Sequence, residues 1–346
     1  MRFPNFSAYL ILSILVWAST VFGYEIEDRR LYSADQERAV LKIISTADLD
    51  AFDSLIVAFQ LEHPGLSVDY TVVGTSDLMQ AIYHEGEVFD LAISSAMDLQ
   101  TKLSNDGYTQ TYVSPAADSL PNWAIWRDQL FGFTQEAAVL IVSESFFEDS
   151  VVPTNRDELI AILRANPERF QGRIGTYDIR TSGFGYLIAT QDSRNSESFW
   201  RLMEVMGRLD AQLYCCSSEM IQDVASGKLA LAYNVLGSYA ASQQEATTGF
   251  KIIELSDFTN VMLRTALIPN SAENVKDAQS MIDFLITLNE RPDLVQSSGL
   301  PAIDPATFQA NTALRPIRFG PGLLVFLDQL KRINFLRSWE SSLVQE

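Results

Sequence analysis

Short apolar runs in this chain repeatedly end in a turn rich in Ser, Thr and Gly, and a helix-like pattern follows each turn. The clearest cases are Leu41 to Ile44 before Ser45-Thr46, Val68 to Val73 before Gly74-Thr75-Ser76, Phe89 to Ile93 before Ser94-Ser95, and Ile174 to Tyr177 before Thr181-Ser182-Gly183. Each turn can present backbone N–H groups and a hydroxyl at the positive end of a helix, where proteins hold anions and polar solutes. The pattern indicates capture of a small molecule rather than its chemical conversion.

Apolar residues after the first turn recur at the spacing of one helical face. They are Leu49, Phe52, Leu55, Ile56 and Phe59, and His63-Pro64-Gly65 marks the end of this predicted helix. The alternation continues with a strand at Lys228 to Tyr233 and helices at Phe199 to Gly207, Glu219 to Ala225, Val275 to Asn289 and around Leu323 to Leu336. Strands that alternate with helices predict an α/β fold with largely parallel sheets.

The N-terminus has the features of an export signal. Arg2 precedes an uncharged apolar stretch from Ala8 to Ala18, and small residues lead to Gly23. This arrangement predicts a cleavable signal peptide over residues 1–23 and a periplasmic location; an uncleaved N-terminal anchor is the alternative. Residues 24–38 are charged and aperiodic, and we expect a flexible arm or a short first helix there.

The charge balance excludes one class of partner. The chain has 25 Lys and Arg against 44 Asp and Glu, a formal net charge of −19. Nucleic acid and anionic membrane surfaces would repel such a protein. The acidic residues are scattered singly, so we interpret them as a solvated surface rather than a cation site.

Cys215 and Cys216 are the two cysteines of the chain, and they are adjacent. Neighbouring residues rarely provide the Cα separation and side-chain directions of an unstrained disulfide. We therefore expect buried thiols, with a vicinal disulfide or metal capture as the alternatives.

The chain lacks the short motifs of common hydrolases and nucleotide-dependent enzymes. It has no Gly-x-Ser-x-Gly elbow, no zinc-protease motif and no phosphate-binding loop, and Gly183-Phe184-Gly185 is only a fragment of a dinucleotide signature. His63 and His84 are the two histidines, and their loop or helix-end contexts favour a surface role. We expect a protein that is not an enzyme and that uses no cofactor.

A set of short motifs follows a fixed order along most of the chain. They are Gly74-Thr75-Ser76-Asp77-Leu78, Phe89-Asp90-Leu91-Ala92 with Ser95 and Asp98, Asp106-Gly107-Tyr108, Ser114-Pro115, Gly172-Arg173-Ile174-Gly175, Ser182-Gly183-Phe184-Gly185-Tyr186, Val224-Ala225-Ser226-Gly227-Lys228-Leu229-Ala230 and Ile282-Asp283-Phe284-Leu285. Their order resembles that of the type II periplasmic solute-binding proteins of ABC importers, in the branch of ferric-iron and sugar-phosphate receptors.

The resemblance implies a two-lobed α/β fold of the periplasmic binding protein type II class. Each lobe would be a mostly parallel sheet flanked by helices, and the lobes would close on a ligand about a hinge. Lobe 1 would comprise residues 39–132 and 269–346, and lobe 2 residues 133–268. Two crossing strands, Phe133 to Val142 and Val261 to Ile268, would form the hinge.

The resemblance also allows a test of iron binding. Ferric-binding members present an adjacent tyrosine pair just beyond an Asn-containing strand end, because phenolate oxygens suit a hard trivalent cation. In this chain Val235 and Leu236 stand where the pair would be expected. We therefore expect no metal site and keep ferric-iron binding as a lesser alternative.

Ten residues on the predicted strand ends are candidates for ligand contact. They are Ser45, Thr46, Thr75, Ser76, Ser95, Arg180, Thr181, Ser182, Asn234 and Tyr239. Arg180 could pair bidentately with a phosphate or carboxylate, and the aromatic residues Trp123, Trp126, Tyr186, Tyr233 and Tyr239 could stack against a ring. The alternative for the hydroxyls is that they only cap their helices.

These observations lead to one expected function. The chain would capture a small anionic or hydroxylated solute, such as a phosphorylated sugar or an organic acid, and deliver it to an ABC permease. A sensory protein that presents its liganded form to a membrane histidine kinase or receptor is the alternative. By analogy with such receptors, we expect a monomer.

Overall fold

The computed structural model describes residues 23–246 and 248–345. The predicted signal peptide, apart from Gly23, lies outside the described residues and stays a prediction. Within the described ranges, no helix combines the length and the apolar character that crossing a membrane requires.

Twelve strands in the described part of the chain join into one connected sheet. They are β1 (Ile26–Tyr32), β2 (Ala39–Ser45), β3 (Leu66–Val73), β4 (Leu91–Ser94), β5 (Ile125–Trp126), β6 (Leu130–Ser143), β7 (Ile174–Tyr177), β8 (Gln212–Tyr214), β9 (Leu231–Leu236), β10 (Phe250–Ile253), β11 (Thr259–Leu267) and β12 (Leu314–Pro316). The strand order is β1-β3-β2-β4-β11-β6-β9-β7-β8, with β5 and β10 on β6 and β12 on β11.

Helices flank this sheet. They are α1 (Leu49–Glu62), α2 (Thr75–Met79), α3 (Met97–Asn105), α4 (Arg156–Ala165), α5 (Pro167–Phe170), α6 (Gly183–Asn195), α7 (Ser198–Arg208), α8 (Ser217–Ala225), α9 (Gly237–Ala246), α10 (Val275–Ile286), α11 (Pro292–Ser298), α12 (Pro305–Ala310) and α13 (Gln329–Leu343). The apolar face predicted for α1 is buried. The predicted α/β class is confirmed.

Two groups of parallel strands set the position of the site. In the first half of the sheet β2 pairs in parallel with β3 and β4, and in the second half β7 pairs in parallel with β8 and β9. The carboxyl ends of parallel strands meet at one edge of a sheet, where ligands of α/β proteins bind. Each half therefore brings three strand ends and their following turns together.

Strands occupy both predicted hinge segments. β6 pairs with β11 through Phe131 to Ala137 and then with β9 and β10 through Ala138 to Ser143. One long strand thus carries the sheet from the first half into the second. Between β10 and β11 the chain passes from the second half of the sheet back to the first half.

The expectation of a flexible arm or short helix over residues 24–38 is wrong, because β1 lies there. It pairs antiparallel with β3, and Arg29 Nε donates to Asp69 Oδ1 at 2.8 Å. Most of its side chains are exposed, so the strand is held by backbone pairing and leaves no apolar pattern in the sequence.

The C-terminal helix packs with the middle of the chain, although the resemblance assigns residues 269–346 to lobe 1. Phe335, Trp339 and Leu343 of α13 join the core that contains Phe199 of α7. A Cβ on Gly207 would lie 2.4 Å from the Ser342 carbonyl oxygen, so this glycine allows the close approach of α13. The predicted helix near Leu323 to Leu336 is a 3₁₀ segment followed by α13, and the other lobe boundaries stay a prediction.

Candidate functional site

A cleft lies between the turns that follow the two groups of parallel strands. Its first side comes from β1 and from the ends of β2, β3 and β4, and its second side from the ends of β7, β8 and β9 and the helices that follow. The lining residues are Glu27, Thr46, Asp48, Val73, Gly74, Thr75, Ser95, Tyr177, Ser182, Phe184, Cys215, Cys216, Ser217, Ser218, Leu236 and Tyr239.

Half of the predicted ligand residues meet in this cleft. Thr46, Thr75, Ser95, Ser182 and Tyr239 belong to its lining. Their convergence follows from strand order, because parallel neighbours deliver their terminal turns to the same edge. Ligand contact by these residues stays a prediction.

Ser45 and Asn234 lie at strand ends, but their side chains form hydrogen bonds with other buried residues of the protein. Tyr70 Oη donates to Ser45 Oγ at 2.7 Å, and the Ser45 side chain is fully buried. Asn234 Nδ2 donates to Asp192 Oδ2 at 2.8 Å, and its backbone has a left-handed φ of 66°. Neither residue lines the cleft.

Arg180, Thr181 and Ser76 also lie outside the cleft lining. The guanidinium of Arg180 pairs with Asp178, with Nη2 and Oδ2 2.7 Å apart. Thr181 is exposed, and its carbonyl oxygen accepts a hydrogen bond from Ser76 Oγ at 2.7 Å. Arg180, which was predicted to bind an anionic group of the ligand, therefore forms a local ion pair with a residue two positions away.

The two sides of the cleft touch at its rims. Thr75 Oγ1 accepts hydrogen bonds from the backbone N–H of Gly183 at 2.7 Å and of Phe184 at 3.4 Å. The backbone N–H of Asp48 donates to Tyr239 Oη at 3.2 Å, and Ser218 Oγ donates to Asp48 Oδ2 at 3.5 Å. Groups on the first side of the cleft thus exchange hydrogen bonds with groups on the second side.

The alternative role of helix capping holds for Ser182. Its hydroxyl oxygen accepts from the Gly185 N–H at 3.1 Å at the start of α6. Thr46 Oγ1 accepts from the Ser95 N–H at 3.2 Å and so joins the ends of β2 and β4. Both hydroxyls are held in place by their acceptor bonds, and each has an O–H to offer as a donor.

Glu27 and Asp48 are carboxylates of the lining that the sequence reasoning missed as ligand groups. Desolvation, followed by repulsion from Asp48 and Asp77, raises the pKa of Glu27, although its side chain remains exposed. Desolvation also raises the pKa of Asp48, and the positive charge of Arg264 opposes this shift. No motif marked Glu27, because it reaches the cleft only through the pairing of β1.

The expectation of buried thiols is wrong, because Cys215 and Cys216 form a vicinal disulfide. Cys215 is exposed and Cys216 is partly exposed, and both line the cleft. The pair connects the end of β8 to the start of α8, where Cys216 is the N-terminal cap residue. The sequence placed the pair in no element, so its exposure was not predictable.

A buried ion pair lies beneath Tyr239. Arg264 Nε donates to Glu136 Oε1 at 2.9 Å and Nη2 donates to Oε2 at 3.0 Å, with both side chains fully buried. Ser238 Oγ also donates to Glu136. Burial raises the pKa of Tyr239 to about 12, so its phenol stays protonated at neutral pH. Tyr239 is the one of the five aromatic candidates that lines the cleft.

The fold matches solved solute-binding proteins over nearly its whole length. A substrate-binding protein of an ABC transporter from Agrobacterium tumefaciens has a TM-score of 0.87 and 31% identity, covering 92% of this chain and 99% of that one. AfuA from Actinobacillus pleuropneumoniae, with fructose-6-phosphate bound, has a TM-score of 0.70 and 14% identity, covering 89% and 99% of the two chains. Iron-bound HitA from Pseudomonas aeruginosa has a TM-score of 0.67 and 16% identity, covering 88% and 99%.

The last two likenesses show the fold alone, because their sequence identities are low. No curated protein sequence matches the chain. The family model of bacterial extracellular solute-binding proteins matches residues 44–287, which confirms the resemblance seen in the motifs. The chain therefore belongs to the family of bacterial extracellular solute-binding proteins, and it is a solute receptor and not an enzyme.

Proposed function

We propose that this chain binds a small hydroxylated solute in the interlobe cleft and delivers it to an ABC permease in the membrane. The observation that carries the proposal is the chemistry of the cleft. Its described lining contains eight hydroxyl side chains and two carboxylates but no Lys or Arg. Hydroxyls and carboxylates exchange hydrogen bonds readily with the O–H groups of a polyol or sugar.

The same lining argues against an anionic solute. Glu27 and Asp48 would repel a phosphate or carboxylate, and Arg180, which was expected to neutralise one, pairs with Asp178 outside the lining. A sugar that carries an amine suits the site better, because an ammonium would offset the two carboxylates. We therefore infer a neutral polyol or an amino sugar.

Ferric iron stays the lesser alternative, because Val235 and Leu236 stand where ferric-binding members carry their tyrosine pair. Among the residues that the structure describes, no three His, Cys, Asp or Glu side chains form a group that could hold a metal ion. The likeness to iron-bound HitA is one of fold only. Delivery to an ABC permease is supported by the Agrobacterium tumefaciens protein, which is a component of such a transporter.

A thermal-shift screen tests the proposed solute class. The purified chain is unfolded and refolded to release any retained ligand, and then melted with sorbitol, glucosamine, putrescine, fructose 6-phosphate or ferric citrate. A ligand that binds only the native state raises the melting temperature. We expect the largest rise with sorbitol or glucosamine and no rise with fructose 6-phosphate or ferric citrate.

The double variant Glu27→Gln/Asp48→Asn sharpens the screen. We expect its glucosamine affinity to fall about tenfold, equivalent to about 1.4 kcal/mol, while a neutral polyol is affected less. Glu148→Gln is the matched control, because Glu148 is an exposed acid outside the lining. A rise in melting temperature with fructose 6-phosphate that grows in the double variant would show that the natural solute is anionic.

A further inference from the structure

We propose that the Cys215–Cys216 disulfide is the apolar contact face of this ligand site, against which the carbon face of the solute packs. Reduction of the disulfide would then weaken solute binding. This inference rests on the function proposed above and adds the group that recognises the non-polar side of the solute.

Exposure separates the disulfide from the other apolar residues of the lining. Val73, Phe184 and Leu236 keep only 1%, 3% and 6% of their surface exposed, because their side chains belong to the cores behind the cleft. Cys215 is exposed and Cys216 partly exposed. Cysteine is normally among the most buried residues, so apolar sulfur at the wall of a cleft calls for an explanation.

The structure holds the two cysteines firmly from both ends. The Tyr214 carbonyl oxygen, immediately before them, accepts from the Asp178 N–H at 2.9 Å. The Ser217 hydroxyl, immediately after them, accepts from the Leu236 N–H at 3.1 Å and contacts Tyr177 Oη. The disulfide between these neighbouring residues therefore has a fixed orientation relative to the ends of β7, β8 and β9.

The chemistry of this wall matches a solute with one carbon face and a rim of hydroxyls. A disulfide has polarizable sulfur atoms and no N–H or O–H donor, so it gains contact energy from C–H groups without leaving a donor unpaired. Ser217 and Ser218 follow directly in the chain and also line the cleft. The Ser217 hydroxyl is engaged by Leu236 and Tyr177, but the Ser218 hydroxyl oxygen can accept a hydrogen bond from the polar rim of the same solute. Polyols and sugars present both kinds of surface.

Reduction would change this wall chemically. A small dithiol transfers two electrons and two protons to the disulfide, breaks the S–S bond, leaves two thiols on the protein and becomes a cyclic disulfide itself. The thiols rotate independently, and each adds a weak donor. The apolar face would lose its fixed shape while the rest of the fold stays intact, because a bridge between neighbours constrains the unfolded chain very little.

Solute affinity measured in both redox states tests the proposal. Titration calorimetry with sorbitol and with glucosamine is performed on the full chain before and after treatment with dithiothreitol, and on the double variant Cys215→Ser/Cys216→Ser. We expect the dissociation constant to rise at least fivefold on reduction and in the double variant, with the melting temperature of the ligand-free chain little changed. Iodoacetamide should label the cysteines only after reduction.

The controls make each outcome decisive. Dithiothreitol must not change binding to the double variant, which has no disulfide to reduce. If the probes bind equally well in all three forms, the disulfide proposal fails and the proposed function stands; if neither probe binds the oxidised chain, the proposed function fails and this inference with it. Labelling without reductant would show free thiols and overturn the proposal, and if the double variant does not fold, the native chain kept in dithiothreitol without alkylation decides.

Discussion

Two helix N-termini of lobe 2 face the same cleft, and the structure uses them differently. The first amides of α6 are covered, because Ser182 caps Gly185 and Thr75 of lobe 1 accepts from Gly183. At α8 the cap residue is Cys216, whose side chain makes no capping hydrogen bond and is instead part of the disulfide. One helix end is therefore engaged by the opposite lobe, and the other presents its turn to the cleft.

This difference divides the two helix ends between contact across the cleft and exposure to the cleft. The Ser/Thr/Gly turn before α6 was predicted to bind ligand. In the structure, however, the N–H groups of Gly183 and Phe184 donate to Thr75 on the opposite side of the cleft. The turn before α8 was not among the predicted ligand sites, although it contains two serines, and it lines the cleft with Cys215, Cys216, Ser217 and Ser218. A helix N-terminus thus binds whatever acceptor the tertiary structure brings to it, and an opposing threonine competes with a ligand.

The largest effect is expected from the buried ion pair of Glu136 and Arg264. This pair lies beneath Tyr239, a residue of α9, and α9 packs against α8. Glu136→Ala would leave the buried guanidinium of Arg264 without its partner and remove the acceptor of Ser238. Loss of one member of a buried pair costs about 3–5 kcal/mol of unfolding free energy. Urea denaturation measures it, and the exposed pair of Glu62 and Arg291 supplies the control, because Glu62→Ala should cost less than about 1 kcal/mol. An equal loss of unfolding free energy in the two variants would show that the buried pair stabilises the fold no more than the exposed pair does.

The next largest effect concerns the opposite side, where Asp98 lies on α3, which packs against α6. Burial raises the pKa of the Asp98 carboxyl to about 7, and the hydrogen bond from the Leu99 N–H, with a smaller contribution from Arg332, only partly opposes the shift. The unfolded carboxyl has a pKa of about 3.9, so the folded chain binds the extra proton between about pH 4 and 7 and its stability falls as pH rises through that window. Asp98→Asn should therefore stabilise the chain by up to about 4 kcal/mol at pH 8 and by almost nothing at pH 4.

Urea denaturation across this pH range measures the Asp98 effect. The exposed Asp118 provides the control, because Asp118→Asn should leave the pH dependence unchanged. A stability difference between Asp98→Asn and the native chain that is the same at pH 4 and pH 8 would contradict the shifted pKa.

A smaller effect is expected at the contact between Thr75 and α6, which tests closure directly. A Cβ on Gly183 would lie 2.9 Å from Thr75 Oγ1 and 2.9 Å from Leu99 Cδ1, both of lobe 1. Gly183→Ala should therefore oppose closure, and an overpacking cost of about 1–2 kcal/mol lowers glucosamine affinity by roughly five- to thirtyfold. Titration calorimetry measures the affinity, and the melting temperature of the ligand-free chain should change little if that chain is open.

Thr75→Val is the companion to this variant. It keeps the shape of the threonine but removes the acceptor of the Gly183 N–H, and we expect an affinity loss of about fivefold, equivalent to about 1 kcal/mol. If neither variant changes the affinity, the contact between Thr75 and α6 plays no part in closure around the solute.

The sequence predicted much of the fold and about half of the candidate site. The runs Leu41 to Ile44, Val68 to Val73 and Ile174 to Tyr177 lie in strands β2, β3 and β7, because buried β-strands are apolar and end at turns. β1 escaped prediction because its exposed side chains carry no periodic signal. Arg180 was predicted to face a ligand, although Asp178, two residues earlier, was an obvious local partner for its charge.

By itself, the sequence determined the α/β alternation, the family and the positions of the turns at strand ends, because these depend on local hydrophobic pattern and on short motifs. Tertiary structure decided which turns contact each other across the cleft and which turns are left exposed in its lining. It also brought Glu27 to the cleft through β1 and placed the disulfide on the wall instead of in a core. The physical reason is that pairing between distant strands and the approach of two lobes are set by long-range packing, which no local window of residues contains.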